Sequence, residues 1–558
     1  MFIRVKSTPN SPRRSVQIVR SVRQGDKVRQ VIVRHVGVAA DGEELQRLRD
    51  LAEFIKARIG HADQPSLFPP EEIARQVIEA RRNPPEPAAL PVDLSGLREE
   101  RRLVVGIHEV FGTLYGELGL DTVLPRSRYR ASHDALFHTV MARIANPASK
   151  RASVRRLEED FGVQLPLERV YRMMDHLDDA RIERLHRLAK DRAQGLLNRP
   201  LDVLLFDCTT LYFESFEPDR LRQPGYSKDG KFRETQVLLA LMVTPEGLPV
   251  GYEVLPGASF EGHSLVPTLR RLRRAHDLRQ VTCVADRGMM SEDNMAAMEA
   301  EGMHFIVGAK LKQLPGERKA EILDAGGFGE PDGDGVRIRE VKHKGRRIVV
   351  GHSPKRAAKD ARDRERALGK LRSRLARSAN PKGLLGSRGY HRFLRVEGEA
   401  ELVVDEARVA EQARWDGLHG VMTNLTDMPA RDVLGHYAAL WQVERTFRVT
   451  KHDLKVRPIF HWTERRIRAH LAIAFMTLLC VRHLSWRTRL QQRALSEEAI
   501  RRALTGVQCS VLHDRGSGRR YVLPSAVGDV ARRLQRVMGL KRTEAPFELT
   551  ESARRHRA

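Results

Sequence analysis

Cysteine is scarce: Cys208, Cys283, Cys480 and Cys509 are the only four in 558 residues. None stands in a Cys-x-x-Cys pair, which speaks against a zinc ribbon and a disulfide framework. Reduced, mostly buried thiols in a cytoplasmic protein are expected. Long apolar runs are missing too. The longest, Leu471 to Val481, ends at Arg482 and falls short of the ~20 residues that cross a bilayer. It predicts a buried core helix and no membrane partner. The N-terminus has no apolar stretch of the kind a signal peptide carries. No Gly-x-x-x-x-Gly-Lys-Ser/Thr loop is present, so ATP use is not indicated. Acid is in deficit: 72 Asp and Glu face 98 Lys and Arg, a net charge of +26. Such an excess favours a polyanionic partner, most simply nucleic acid.

With 41% hydrophobic residues the chain can build globular cores, and its length suggests about three or four domains. Residues 1–60 read as a basic β-hairpin plus a helix. Val16 and Ile18, then Val31 and Val33, alternate with polar residues, while Leu45, Leu48, Leu51 and Ile55 share one helical face. Residues 61–98 carry Pro65, Pro69, Pro70, Pro84, Pro85, Pro87 and Pro91 and read as a linker. Residues 99–198 are mostly helical and rich in Arg, as in Lys150-Arg-Ala-Ser-Val-Arg155-Arg156. They suit either a DNA-end-binding domain or a plain helical bundle.

The character changes at 199–310. Val203-Leu-Leu-Phe206-Asp207 is an apolar run closed by an acid, which predicts a buried strand. A long hairpin turns at Pro245-Glu-Gly247, and a helix follows at about 264–275. Val281-Thr-Cys-Val-Ala285-Asp286 is a second apolar run closed by an acid. A helix at about 291–301 and a strand at 304–307 complete the order. Residues 311–418 interrupt it. Between Lys355 and Arg395 stand fourteen Lys and Arg against three acids. This predicts an inserted basic subdomain, with Arg372, Arg374 and Arg377 facing DNA. Residues 419–490 resume with a strand and two helices, and 491–558 read as a C-terminal helical region and tail.

Three acids stand out. Asp207 and Asp286 end buried strands, and Glu444 lies on a helix. An acid at the end of an apolar strand is costly unless it is exposed in a cleft, paired or metal-bound. Hard cations such as Mg²⁺ take oxygen ligands and keep several waters, so two or three carboxylates suffice. A pair of such ions ~4 Å apart can serve both the attacking and the leaving oxygen of a phosphodiester. In Tyr437-Ala-Ala-Leu-Trp-Gln-Val-Glu444-Arg-Thr-Phe-Arg-Val-Thr-Lys451, the Tyr, Glu and Lys sit seven apart. A heptad step drifts only ~20° around a helix. The spacing predicts a single stripe, with a carboxylate for metal flanked by a phenol and an ammonium for phosphate.

That stripe resembles the Tyr-Arg-Glu-Lys signature of bacterial insertion-sequence transposases of the DDE superfamily. Asp207-Cys-Thr-Thr210, Gly225 to Lys231, Glu234-Thr-Gln236, Gly257 to His263, Ala285-Asp286-Arg287-Gly288 and Thr423-Asn424 resemble further stretches of the same family. The second gap between acids is about twice the first, which resembles the β-rich insertion of the insertion-sequence-four group, in its sixteen-thirty-four-like branch. The resemblance implies an α/β fold: a ribonuclease-H-like mixed sheet flanked by helices, with a β-rich insertion and a mostly helical N-terminal region. It splits the catalytic core between 199–310 and 419–490. It implies catalysis and metal binding by Asp207, Asp286 and Glu444, with two Mg²⁺ or Mn²⁺ ions. Implied partners are double-stranded DNA, as element terminal repeats and target, and a second copy in a synaptic homodimer.

The family's Arg is Leu440 here, and Arg448 is the candidate to replace it beside Tyr437 and Lys451. His419, with Trp415 nearby, matches the family's base-stacking position. The activity so implied cuts at the element's ends and joins the 3′-OH to target DNA. A hydrolytic ribonuclease-H-like nuclease and a catalytically dead DNA-binding derivative stay open as alternatives.

Overall fold

The computed structural model describes residues 1–7, 14–24, 27–39, 41–63, 71, 75, 78, 92–225, 233–259, 266–270, 281–288, 291–377, 393–397, 401–491, 494–540 and 544–549. Most of the proline-rich stretch, the loop from Tyr226 to Lys231, Phe260 to His263 and most of the helix expected at 264–275 lie outside the described residues. The chain forms two compact units, Met1–Val92 and Asp93–Ala558.

In the first unit, β1 (Phe2–Ser7), β2 (Arg14–Gln24) and β3 (Lys27–Ala39) form an antiparallel meander followed by α1 (Gly42–Asp63). The sequence predicts a hairpin here; the structure has three strands. Register shifts after Val16 and after Ile18 break the alternation, so Val16, Ile18 and Val19 are all buried. Leu45 and Ala52 of α1 cover Val16 and Ile18.

The second unit begins with β4 (Leu97–Val104), then α2 (Gly106–Glu117), α3 (Arg126–Ala145), α4 (Lys150–Phe161), α5 (Leu167–Asp175) and α6 (Asp179–Leu197). Next come β5 (Val203–Tyr212), β6 (Gln236–Val243), β7 (Pro249–Pro256), β8 (Thr282–Ala285), α7 (Glu292–Ala300) and β9 (His304–Gly308). The segment from 311 adds α8 (Gly316–Leu323), β10 (Arg337–His343), β11 (Arg346–His352), α9 (Pro354–Arg377), β12 (Leu394–Glu397), β13 (Glu401–Val404) and α10 (Glu406–Ala413). The chain ends with β14 (Leu418–Thr423), α11 (Ala430–Ala438), α12 (Trp441–Arg448), α13 (Glu464–Gln491), α14 (Glu497–Thr505), β15 (Gln508–Asp514), β16 (Arg520–Pro524), α15 (Asp529–Val537) and β17 (Phe547–Glu548).

The main sheet has the order β10-β11-β14-β9-β8-β5-β6-β7. β5, β8 and β9 run parallel, and β6 and β7 return antiparallel. Within it, β7-β6-β5-β8-β9 is the ribonuclease-H-like order expected from the sequence, because a hairpin pair must sit beside its first strand while helical crossovers place the parallel strands on the other side. The hairpin β10–β11 of the inserted segment extends this same sheet through β14.

Both faces are covered. Leu205 and Leu211 of β5, with Leu239 and Leu241 of β6, join one core with α2, α3, α11, α12 and α13. Leu204, Phe206 and Cys208, with Leu238 and Ala240, join a second core on the opposite face. Odd positions of β5 therefore face the first core and even positions the second, the period-two rule of a strand. All four cysteines are buried, and none forms a disulfide among the described residues.

α13 is long and apolar enough to cross a membrane by length and composition, yet its central residues are buried in the first core. A helix apolar on all sides is the signature of such a central position. Its one deeply buried cation, Arg482, is 3% exposed and bonds to Glu497 at 3.2 Å, to the Gly247 carbonyl at 2.9 Å and to Gln442 at 3.2 Å. Gly247, at φ +83°, turns the β6–β7 hairpin, and a Cβ there would lie 2.1 Å from the guanidinium.

A second sheet, β17-β16-β15-β4, differs from the helical C-terminal region predicted. β4 is Leu97-Arg-Glu-Glu-Arg-Arg-Leu-Val104, too charged for an apolar alternation to mark it. It becomes a strand only by pairing with β15.

Candidate active site

β5 and β8 are neighbours, with Phe206 opposite Ala285. One step further brings Asp207 beside Asp286, on strands ~4.8 Å apart. β8 and β9 pair Ala285 with Val307, so Gly308 continues the same row. Asp207 and Asp286 both lie at positions that face the first core, the side covered by α11 and α12. Asp207 is half-buried and Asp286 exposed. The Asp207 carboxylate also accepts a 2.7 Å bond from the Cys208 amide.

Tyr437 comes down on this row from α11. Its hydroxyl donates to Asp286 Oδ1 at 3.3 Å. The approach depends on Gly308, because a Cβ there would stand 2.3 Å from the Tyr437 hydroxyl. Burial, and next the Asp286 carboxylate, raise the Tyr437 phenol to about 12, so it stays protonated and a donor at neutral pH. Two guanidinium groups, Arg287 and Arg356, act on the same phenol in the opposite sense. The sequence reading missed Gly308, Arg287 and Arg356. Arg287 adjoins Asp286 and could have been suspected. Arg356 comes from α9, distant in sequence, and carried no signal.

The stretch 437–451 is not one regular helix as the heptad spacing assumed. α11 ends at Ala438, the turn to α12 is tightened by a Leu440 N–H to Tyr437 C=O bond at 3.1 Å, and α12 gives way to a π-turn at Val449–Asp453. The π-turn closes with the Leu454 amide on the Val449 carbonyl at 2.8 Å. Tighter and looser turns shift side-chain phase away from the 3.6-residue repeat, so the stripe bends. Glu444 is exposed on α12, which packs on β5 and β6. Among the described residues no three His, Cys, Asp or Glu side chains converge closely enough to hold a metal ion. The structure thus brings Asp207, Asp286 and Tyr437 together and leaves Glu444 beside them.

Leu440 packs against the first core. Arg445 is paired with Glu497 at 3.1 Å, whereas Arg448 is exposed without an ion-pair partner among the described residues. Lys451 lies half-buried in the π-turn. His419 lies opposite Gly351 on β14. Burial and the Arg356 charge hold its imidazole below the usual range.

Trp415 is buried in the second core, on the sheet face away from the acids. Thr423 and Asn424 stitch β14 to β9, with the Phe305 amide donating to Asn424 at 3.0 Å and Asn424 donating to the Met303 carbonyl at 2.9 Å. Arg372, Arg374 and Arg377 are exposed on α9, with Arg372 paired to Glu406 at 2.9 Å.

Paired carboxylates on neighbouring strands, Asp207 within β5 and Asp286 just past the end of β8, are the oxygen donor set that a hard divalent cation takes. The chain belongs to the transposase DDE domain family, which its residues 198–480 match. No curated protein matches it. Among solved structures it is similar to the piggyBac transposase synaptic complex with hairpin DNA, at 9% identity over 72% of this chain and 76% of that one, TM-score 0.35. It is also similar to the Mos1 transposase paired-end complex with left transposon end, at 11% identity over 47% and 77%, TM-score 0.14.

The Gly308 slot is testable. Gly308→Ala is expected to displace Tyr437 and, with Tyr437→Phe, to raise the Mn²⁺ concentration needed for half-maximal binding severalfold. Mn²⁺ titration by electron paramagnetic resonance reads this without turnover. Unchanged Mn²⁺ binding in both variants would remove Tyr437 from any role toward Asp286.

Proposed function

We propose that this chain is a cut-and-paste DNA transposase of the insertion-sequence-four group, in its sixteen-thirty-four-like branch, bearing a variant Tyr-Arg-Glu-Lys signature. The observation that carries the reading is the Asp207–Asp286 pair set in one row of a ribonuclease-H-like sheet beneath Tyr437. Asp207 and Asp286 would hold Mg²⁺ or Mn²⁺, with Glu444 joining them from α12. A pair of such ions supplies activation of the attacking oxygen and charge stabilisation at the leaving one. The protein's own share is positioning. Tyr437 fixes the Asp286 carboxylate. Arg287 and Arg356, together with Arg448 and Lys451, supply cations for the phosphates on either side of the cut, in place of the signature Arg that Leu440 replaces. His419, neutral by burial, offers a flat ring for a displaced base.

The substrate is double-stranded DNA carrying the element's terminal repeats, cut to expose a 3′-OH that then attacks target DNA, with two copies of the chain in the synaptic complex. The decisive experiment incubates the protein with Mg²⁺ or Mn²⁺, a duplex bearing both element ends, and a target plasmid. Cleaved ends joined to the plasmid are expected. Cleavage without joining would point to the hydrolytic nuclease, and binding without cleavage to a dead derivative.

Affinity for such DNA should fall steeply with salt, because each neutralised phosphate adds roughly −0.9 to the log–log slope. Replacing Arg372, Arg374 and Arg377 together by Gln is expected to flatten the slope by about two to three units. A filter-binding series from low to high salt checks this, and an unchanged slope would turn α9 away from DNA.

A further inference from the structure

The surface beyond the end of β5 carries large aromatic side chains that the reaction described above does not use. β5 ends at Tyr212, and the next residue, Phe213, forms a parallel bridge with Ile459. The Ile459 amide bonds to the Tyr212 carbonyl at 3.2 Å. From this pinned point the chain alternates: Ile459 is buried, Phe460 is 60% exposed, His461 turns in toward Tyr171 and His470, and Trp462 is 60% exposed. Phe460 and Trp462 therefore leave the chain on one side; an extended segment would set them about 6.6 Å apart along it. That is close to twice the ~3.4 Å stacking repeat of a nucleic-acid strand, room for one base between two rings.

Trp462 is held from behind. The Arg222 guanidinium stacks on it at 5.0 Å and on Phe213 at 5.8 Å. Arg222 itself is only 7% exposed and is anchored on Asp219 through Nε at 2.6 Å. Its Nη1 is buried without a hydrogen-bond partner among the described residues. A buried cation left partly unsatisfied is costly; here it fixes the indole ring and lends it positive charge. A second guanidinium, Arg457, lies over Tyr212 at 5.6 Å.

We propose that Phe460 and Trp462 form a stacking platform for unpaired bases of a DNA strand. Exposed rings backed by guanidinium groups are what sequence-tolerant single-strand recognition uses. The platform lies past the end of the strand that carries Asp207, beyond the Phe213–Ile459 bridge six residues or about 20 Å further on. It would engage bases at least about six nucleotides from the acid pair. The adjoining loop also carries exposed Glu214 and Glu217, so stacking rather than charge must supply the affinity. The inference rests on the transposase reading only for the source of the unpaired strand.

The test uses the full chain, a thymidine dodecamer and a blunt duplex of random sequence, without added metal, so that no cleavage enters the readout. Trp462→Ala and Phe460→Ala are each expected to weaken dodecamer binding about tenfold while duplex binding changes less than twofold. Trp462→Phe, which keeps a ring, should recover most of the loss, and the dodecamer should no longer quench the fluorescence that Trp462 contributes. Equal losses on dodecamer and duplex, or no loss with Trp462→Ala, would overturn the platform. So would a change of sedimentation coefficient in Trp462→Ala without DNA, which would mark the surface as a contact between copies. Loss of dodecamer binding in a chain that fails to cut any element end would leave the platform standing and sink only the transposase reading.

Discussion

Asp207→Asn and Asp286→Asn are each expected to lower strand cleavage at least about a thousandfold, on the order of 4 kcal/mol at the transition state. Binding of end-bearing DNA should stay within about twofold. Both substitutions keep the shape of the side chain and remove one negative charge from the same row of the sheet. Glu444→Gln is the informative third arm. Glu444 stands exposed on α12 rather than against the pair, so an equal loss would show that it joins the two Asp side chains when substrate is bound. Near-normal cleavage by any one variant, measured in single turnover on a pre-nicked duplex, would remove that residue from the site.

The second large effect is acid lability. Burial holds His108 and His483 at about 3 and His461 at about 4, against ~6.5 in an unfolded chain. These rings are neutral when folded. Between about pH 6.5 and the folded values, the unfolded chain binds more protons, so stability is full above 6.5 and falls as pH drops. At pH 5 each ring costs about 2 kcal/mol, roughly 6 kcal/mol for the three, comparable with the whole stability of many domains. Urea midpoints should therefore fall steeply from pH 7 to pH 5. A flat midpoint over that range would mean the rings take up protons without unfolding.

The sheet that frames the site was legible in the sequence because its strands are apolar runs. Val203 to Phe206 and Thr282 to Ala285 are buried on both faces, and an acid follows each run. β8 does stop there, but β5 runs on through Asp207 to Tyr212, because Cys208 to Leu211 are buried as well, so the acid marked the candidate site without marking that strand's end. The stripe on 437–451 was legible as residues but not as geometry. Leu440 is apolar because it packs on the core through a tightened turn, and a π-turn follows α12; neither leaves a mark in spacing. Trp415 looked available because an aromatic residue near a strand end does not reveal which face it takes. The partners of Tyr437 were the least legible, since Gly308 contributes by having no side chain and Arg356 arrives from an inserted segment.

The pairing of β4 with β15 has a consequence for biosynthesis. A ribosome adding about 5–20 residues per second needs roughly 20–80 s to pass from one strand to the other. For that interval β4 has no neighbour to pair with, and the emerging α13 is the most apolar segment in reach. Folding of the second unit must therefore finish after translation is nearly complete. A nascent chain stalled before β15 would leave the ribosome with its row of paired acids made and its closing sheet missing, a natural client for chaperones and proteases.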